Sequence, residues 1–200
     1  MHGLFFSPLD MISRVCETSI KAILVTPIVC SKNRYDTWRY QYSIPEQTLE
    51  LSENGRVLKC YRISTAKNGA GEKNGSFCTP RGRHIIRAKI GGGAPENAVF
   101  VKRRPTGEIF SPELDASFPG RDWMLTRILW LSGCEPGFNR LGDVDTMRRY
   151  IYIHGSPDSR TMGQPGSIGC IRMHNRDVME LFDLVEARTP VEISEAPTRD

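Results

Sequence analysis

Residues 150–173 read YIYIHGSPDSRTMGQPGSIGCIRM. The stretch opens on alternation: Tyr150, Tyr152 and His154 fall on one face of an extended chain, Ile151 and Ile153 on the other, which is the period-two signature of a strand. The isoleucine face belongs in a core, so His154 is left on the face where a site can form. Gly155-Ser156-Pro157 stops the run. Cys170 follows sixteen residues after His154, through a segment rich enough in turn residues to fold back on itself. Arg172 comes two positions later. A thiol, an imidazole and a guanidinium delivered by turns near strand ends are the groups that acyl transfer on a peptide requires. The imidazole takes the thiol proton and stabilises the thiolate. Gly169 permits close backbone approach, and the amides of Ile168, Gly169 and Cys170 can form an oxyanion hole. Taken alone, the pair also describes a buried structural cysteine and a satisfied surface histidine. His154, Cys170 and His174 together lack metal-ligand spacing, so no metal site is expected.

The remainder of the chain extends the strand reading. Residues 48–52 alternate, Glu53-Asn54-Gly55-Arg56 supplies the Asn-Gly turn of a two-residue hairpin, and 57–65 resumes the extended run. A Gly-, Lys- and Asn-rich loop over 66–76 follows, and Thr79-Pro80-Arg81-Gly82 turns the chain into a strand at 84–90. Residues 99–103 and 108–111 are predicted to pair around Pro105-Thr106-Gly107. Two segments read as helical. One is 122–131, from Trp123, Leu125, Ile128, Leu129 and Leu131; the other is 177–185, with Asn175 as N-cap and Val178, Leu181, Phe182 and Val185 at helical spacing. A last strand is expected over 191–193. Many short strands, frequent Gly and Pro turns and few helices argue for an all-β sandwich or barrel with one or two short helices. His84 lies in a strand where an apolar residue is more usual, which reads as a structural role or as a groove-facing side chain. His174 is expected to face solvent.

At 200 residues, 39% hydrophobic and 25% charged, the chain is long enough for a substantial core and has an ordinary globular composition. The net charge is +4, and the middle of the chain gathers Arg81, Arg83, Arg87, Lys89, Lys102, Arg103 and Arg104. No aromatic-basic interleaving or recognition-helix pattern accompanies them, so nucleic acid is not an expected partner. A solvated basic face, or attraction to a polyanionic matrix, fits better. The six cysteines (16, 30, 60, 78, 134 and 170) include no CxxC pair and are too dispersed for a disulfide scaffold. Residues 22–30 form a short apolar run behind Arg14 and Lys21, but Pro27 interrupts it and no small-residue cleavage site follows. Residues 1–37 therefore read as an extension (an extra strand or an atypical leader), 38–195 as one catalytic-type domain and 196–200 as a tail.

The run from Tyr152 to Met173, with Ser167-Ile168-Gly169-Cys170-Ile171-Arg172-Met173 at its centre, resembles the signature of the L,D-transpeptidase catalytic domain (the YkuD family). Ile63-Ser64-Thr65-Ala66, Thr79-Pro80-Arg81-Gly82 and Thr189-Pro190-Val191-Glu192-Ile193 look like further landmarks of that family in the same order. The resemblance implies Cys170 as nucleophile, His154 as base, and the Gly155 and Ser156 region orienting the imidazole through a backbone carbonyl. Ile168 and Gly169 would contribute the oxyanion hole. Tyr152, Ser167 and Arg172 would bind substrate, with Arg172 either supporting the turn or taking a substrate carboxylate. It implies no metal or organic cofactor. The partners would be peptidoglycan stem peptides, with a second stem, a lipoprotein lysine or water as acceptor, in the periplasm or envelope of a bacterium. One departure stands out: the family's Ser-His-Gly-Cys is here Ser167-Ile168-Gly169-Cys170. Ile168 keeps the backbone amide and leaves His154 to carry the acid–base load. A sortase-like enzyme, a catalytically silent wall-binding module and an L,D-carboxypeptidase are the alternatives.

Overall fold

A computed structural model describes residues 38–195. The expectations for 1–37, including the leader-like run, and for the tail at 196–200 lie outside the described residues. The strands are β1 (Trp38–Ser43), β2 (Thr48–Glu53), β3 (Arg56–Arg62), β4 (Gly82–Ile90), β5 (Ala98–Val101), β6 (Arg104–Ile109), β7 (Met124–Gly133), β8 (Tyr152–Ser156), β9 (Ile171–His174) and β10 (Pro190–Ser194). They pair in the order β3-β2-β1-β10-β4-β7-β5-β6, and the sheet branches at β7, which also pairs β8, which in turn pairs β9. Side chains from near one end of this order, Leu49 and Leu51 of β2, and from the tip of the branch, Ile171 and Met173 of β9, meet in one core. The sheet is thus folded over on itself as an open β-sandwich, in the all-β class read from the sequence.

Two helices complete the fold. In α2 (Asn175–Leu184), Val178, Leu181 and Phe182 lie on the buried side and close the main core. Asn175 is not the cap; that position is His174, without a side-chain bond. The Asn175 amide instead accepts from Thr126 Oγ1 at 2.7 Å and donates to Asn97 Oδ1 at 2.8 Å. The short α1 (Pro112–Ser117) starts on an Ser111 hydroxyl cap with Pro at its first position, a start signal the strand reading of 108–111 passed over.

The segment 122–131 is not a helix but the greater part of β7. Leu129 and Leu131 face the main core, whereas Ile128 and Trp130 face a second apolar cluster with Phe100 and Tyr152. A strand buried on both faces carries apolar residues at every position, and that run matches helical spacing equally well. The second hairpin also differs in register. Its turn is Lys102-Arg103, both with positive φ (48° and 69°), and Pro105 and Gly107 fall inside β6, an edge strand where a missing N–H is tolerated. The first hairpin turns on Asn54 (φ 50°) and Gly55 (φ 79°), the geometry that right-twisted strands favour.

The basic residues of the middle segment are mostly engaged. Arg81 pairs with Glu72 and Glu195, Arg83 with Glu135, and Lys89 donates to the Val185 carbonyl. His84 is structural: it is buried, with Nδ1 at 2.9 Å from the Gly82 carbonyl and Nε2 at 3.1 Å from Thr146 Oγ1. Burial pushes its imidazole down to about 4. The unfolded chain binds that proton near the ordinary value of 6.5. Stability carried by neutral His84 is therefore full above pH 6.5 and is lost as the pH falls toward 4. Replacing it by Gln is expected to shrink the acid-induced drop in thermal stability across that window, by an amount on the order of 3 kcal/mol for this shift. Parallel pH–Tm curves for the two proteins would overturn the assignment.

Candidate active site

Pairing of β8 and β9 is parallel and sets Ile153 opposite Ile171 and His154 opposite Arg172. Ile153 and Ile171 enter the main core, so His154 and Arg172 share the other face. Cys170 stands one residue before β9 on that same face and packs against the cluster containing Tyr152, Ile128 and Phe100. Thiol and imidazole are thereby brought to neighbouring positions on adjacent strands.

His154 is fully buried. Its Nδ1 lies 2.8 Å from the Gly155 carbonyl oxygen, which can only accept, so Nδ1 carries the proton and Nε2 presents its lone pair. Nε2 is buried and has no hydrogen-bond partner among the described residues. Burial lowers the imidazole pKa, against the opposing pull of Asp122 and of the Gly155 carbonyl. Gly155 itself is dictated by packing. A Cβ there would come within 2.4 Å of Asn175 Oδ1 and 2.6 Å of the Leu125 carbonyl oxygen.

Burial pushes the Cys170 thiol up to about 12; the Tyr152 amide, Arg172 and Arg149 pull it down, and Asp122 raises it. Burial thus disfavours the charged form of both the thiol and the imidazole. The thiol donates to the Tyr150 carbonyl at 3.5 Å.

The turn that delivers Cys170 is held at several points. Ser167 Oγ accepts from the Gly169 amide at 3.2 Å and donates to the Cys170 carbonyl at 2.5 Å. Gly169 has φ +133°, where a side chain is strained. Thr79 Oγ1 accepts from the Ala66 amide and donates to the Gly169 carbonyl, both at 3.0 Å. Ser64 pairs with Arg172 through two backbone bonds, and the amides of Gly166 and Ser167 both reach the Thr65 carbonyl. Gln47 in turn grips Thr65 at its amide and its hydroxyl. The landmark segments around Ile63–Ala66 and Thr79–Gly82 are therefore the support of the cysteine turn.

Several residues marked for substrate contact have internal partners instead. Ser167 is fully buried, its hydroxyl closing the turn. Arg172 donates to the Gly166 carbonyl at 2.9 Å and pairs with Asp122 at 2.5 Å. Tyr152 is buried, and its hydroxyl accepts from Arg103 Nη1 at 2.7 Å. Ser156 Oγ donates to the Met173 carbonyl. The Gly169 amide is occupied by Ser167, while the Ile168 side chain points outward, 48% exposed. His174 is part-exposed and lies 3.7 Å from Asp158.

The sequence reading gave Asp122 and Arg149 no place in the site and named Thr79 only as the start of a landmark turn. Arg149 spans the 71–78 loop, donating to the carbonyls of Gly71, Glu72 and Cys78. No local motif marks Asp122 or Arg149, because each acts on residues far from it in sequence.

Residues 38–193 match the L,D-transpeptidase catalytic domain family, YkuD. The chain belongs to that family. It is 29% identical over 157 residues to the YkuD protein of Bacillus licheniformis, covering 78% of this chain and 66% of that one. To the YkuD protein of Bacillus subtilis strain 168 it is 28% identical over 152 residues, covering 76% and 63%. The chain thus spans just under two thirds of these relatives. Among solved structures, L,D-transpeptidase 3 from Mycobacterium tuberculosis superposes with a TM-score of 0.50 at 14% identity, over 80% of this chain and 61% of that one. This likeness concerns the fold.

Asp122 offsets the field that Arg172 exerts on the thiol. Asp122→Asn is expected to shift the pH profile of Cys170 alkylation by iodoacetamide to lower pH, since Asp122 raises that thiol. A profile that stays put or moves upward would contradict this.

Proposed function

We propose that the protein is a cysteine L,D-transpeptidase acting on peptidoglycan stem peptides, with Cys170 as nucleophile and His154 as base. The observation that carries this reading is the His154 ring. Its Nδ1 is tied to Gly155 and its buried Nε2 lacks a partner, on the face that also holds the Cys170 thiol. A group so arranged has one task left, to accept a proton.

As the thiol attacks the carbonyl of the L-centred residue before a terminal D-amino acid, its proton passes to Nε2. The Gly155 carbonyl then stabilises the imidazolium through Nδ1–H. Amides of the 168–170 turn face the developing oxyanion, with those of Ile168 and Cys170 the candidates, since Gly169 is engaged by Ser167. Collapse expels the D-amino acid with the proton from His154. The acyl-enzyme is resolved by an amine of a second stem, giving a 3→3 cross-link, by a lipoprotein lysine, or by water as a carboxypeptidase. The work belongs in the periplasm or cell envelope, where such stems are found.

The alternative is a silent wall-binding module; the thiol pushed up to about 12 and Ile168 in the motif favour it. Intact-mass measurement after exposure to a carbapenem or a disaccharide tetrapeptide decides. Wild type is expected to gain one adduct on Cys170. His154→Ala should slow adduct formation by at least about a hundredfold, within the usual range for a general base, and His174→Ala should leave it nearly unchanged. A folded protein with intact Cys170 and no adduct would establish the silent module, and equal losses in the two histidine variants would sink His154 as base.

A further inference from the structure

We propose that Arg87 and Arg103, seated on the Trp130 and Tyr150 rings beside Cys170, form a subsite for a free carboxylate of the peptide substrate, away from the scissile carbonyl. This inference rests on the transpeptidase reading.

Arg103 Cζ stands 4.2 Å from the centroid of the Trp130 ring and 5.0 Å from that of Tyr150. Arg87 Cζ stands 5.3 Å from the same indole. Trp130 and Tyr150 are stacked at 6.5 Å with planes 27° apart, and Tyr150 is 54% exposed. The platform adjoins the nucleophile, because the Tyr150 carbonyl receives the Cys170 thiol and Tyr152, which holds Arg103 Nη1, packs in the cluster against Cys170.

Three backbone irregularities produce this convergence. In the β4–β7 ladder Ile86 faces Leu131 and Ala88 faces Trp130, which leaves Arg87 as the bulged residue, and bulges re-aim a side chain. Arg103 sits at φ +69° in the hairpin turn and Tyr150 at φ +58° at the foot of the β8 segment. Non-glycine residues adopt such angles uncommonly. Uncommon conformations gathered on one spot mark ligand clamps more often than packing.

Charge gives the ligand class. Arg81, Arg83, Arg121 and Arg172 each have a carboxylate partner. Among the described residues, Arg87 and Arg103 form no such ion pair. A guanidinium lying on an aromatic face keeps its N–H edge open, and that planar edge matches a carboxylate bidentately. A peptide entering beside Cys170 would meet the edge of Arg87 and the part of the Arg103 edge not spent on the Tyr152 hydroxyl.

The test uses two synthetic tetrapeptide stems that differ only in whether the third residue carries a side-chain carboxylate or the corresponding amide. With wild type, acylation of Cys170 followed by intact mass is expected to favour the acid by about tenfold in kcat/KM, the weight of one charged hydrogen-bond pair, expressed through KM. In Arg87→Gln/Arg103→Gln protein, with an unchanged Tm, the acid rate should fall to that of the amide, and Arg103→Lys should recover part of the preference. Wild-type protein that acylates on both peptides equally overturns the subsite and leaves the enzyme reading standing. Calorimetry on Cys170→Ser protein separates the two ideas. Tighter binding of the acid peptide, weakened by the double substitution, supports the subsite even if wild type fails to acylate, and equal binding of the two peptides overturns it.

Discussion

The parallel pairing of β8 with β9 is the constraint on which the site depends. Two parallel neighbours cannot be joined by a tight turn; the chain must travel back along the strand before it can pair. The connection here runs over 157–170, and its last residue is the cysteine. The spacing between histidine and cysteine is thus a length set by strand geometry. Everything that disciplines this connection also positions Cys170: the Thr65 carbonyl taking two amides, the Thr79 hydroxyl bridging Ala66 to Gly169, and the Ser167 hydroxyl closing the turn. Each of these holds the chain from a segment more than eighty residues upstream or from within the turn itself.

Electrostatics follow from the same packing. His154 is fully buried and Cys170 partly so, and burial disfavours the charged form of both. Arg172, which would favour the thiolate, is largely balanced by Asp122. The balance lets a guanidinium sit two residues from Cys170 while bonded to the Gly166 carbonyl and Asp122.

Much of this was legible in the sequence, and the failures have physical causes. Alternation through Tyr150–Ile153 placed the isoleucines in the core, and Asn54-Gly55 announced its hairpin, because in both cases a local rule decides a local structure. β7 was misread as helix because it is buried on two faces, which erases the alternation that distinguishes a strand. The Lys102-Arg103 turn was missed because neither residue is the glycine or asparagine such angles favour. The internal partners of Ser167 and Arg172 were not legible, because a side chain's partner depends on tertiary neighbours that sequence spacing does not name. Asp122 and Arg149 illustrate the same limit from the other side, being unremarkable residues until the fold brings them to the thiol.

The strand order leaves β3 at one end of its path and β6 at the other. Unpaired edges of this kind invite a second sheet to add on. β3 carries Arg56, Lys59 and Arg62, while β6 opens with Arg104 and Pro105. Edge-to-edge approach of two such strands would oppose like charges, and the proline withholds a donor from the ladder. The positive excess of the chain thereby acquires a second use among the described residues: it keeps an open-edged sandwich from growing into a continuous sheet.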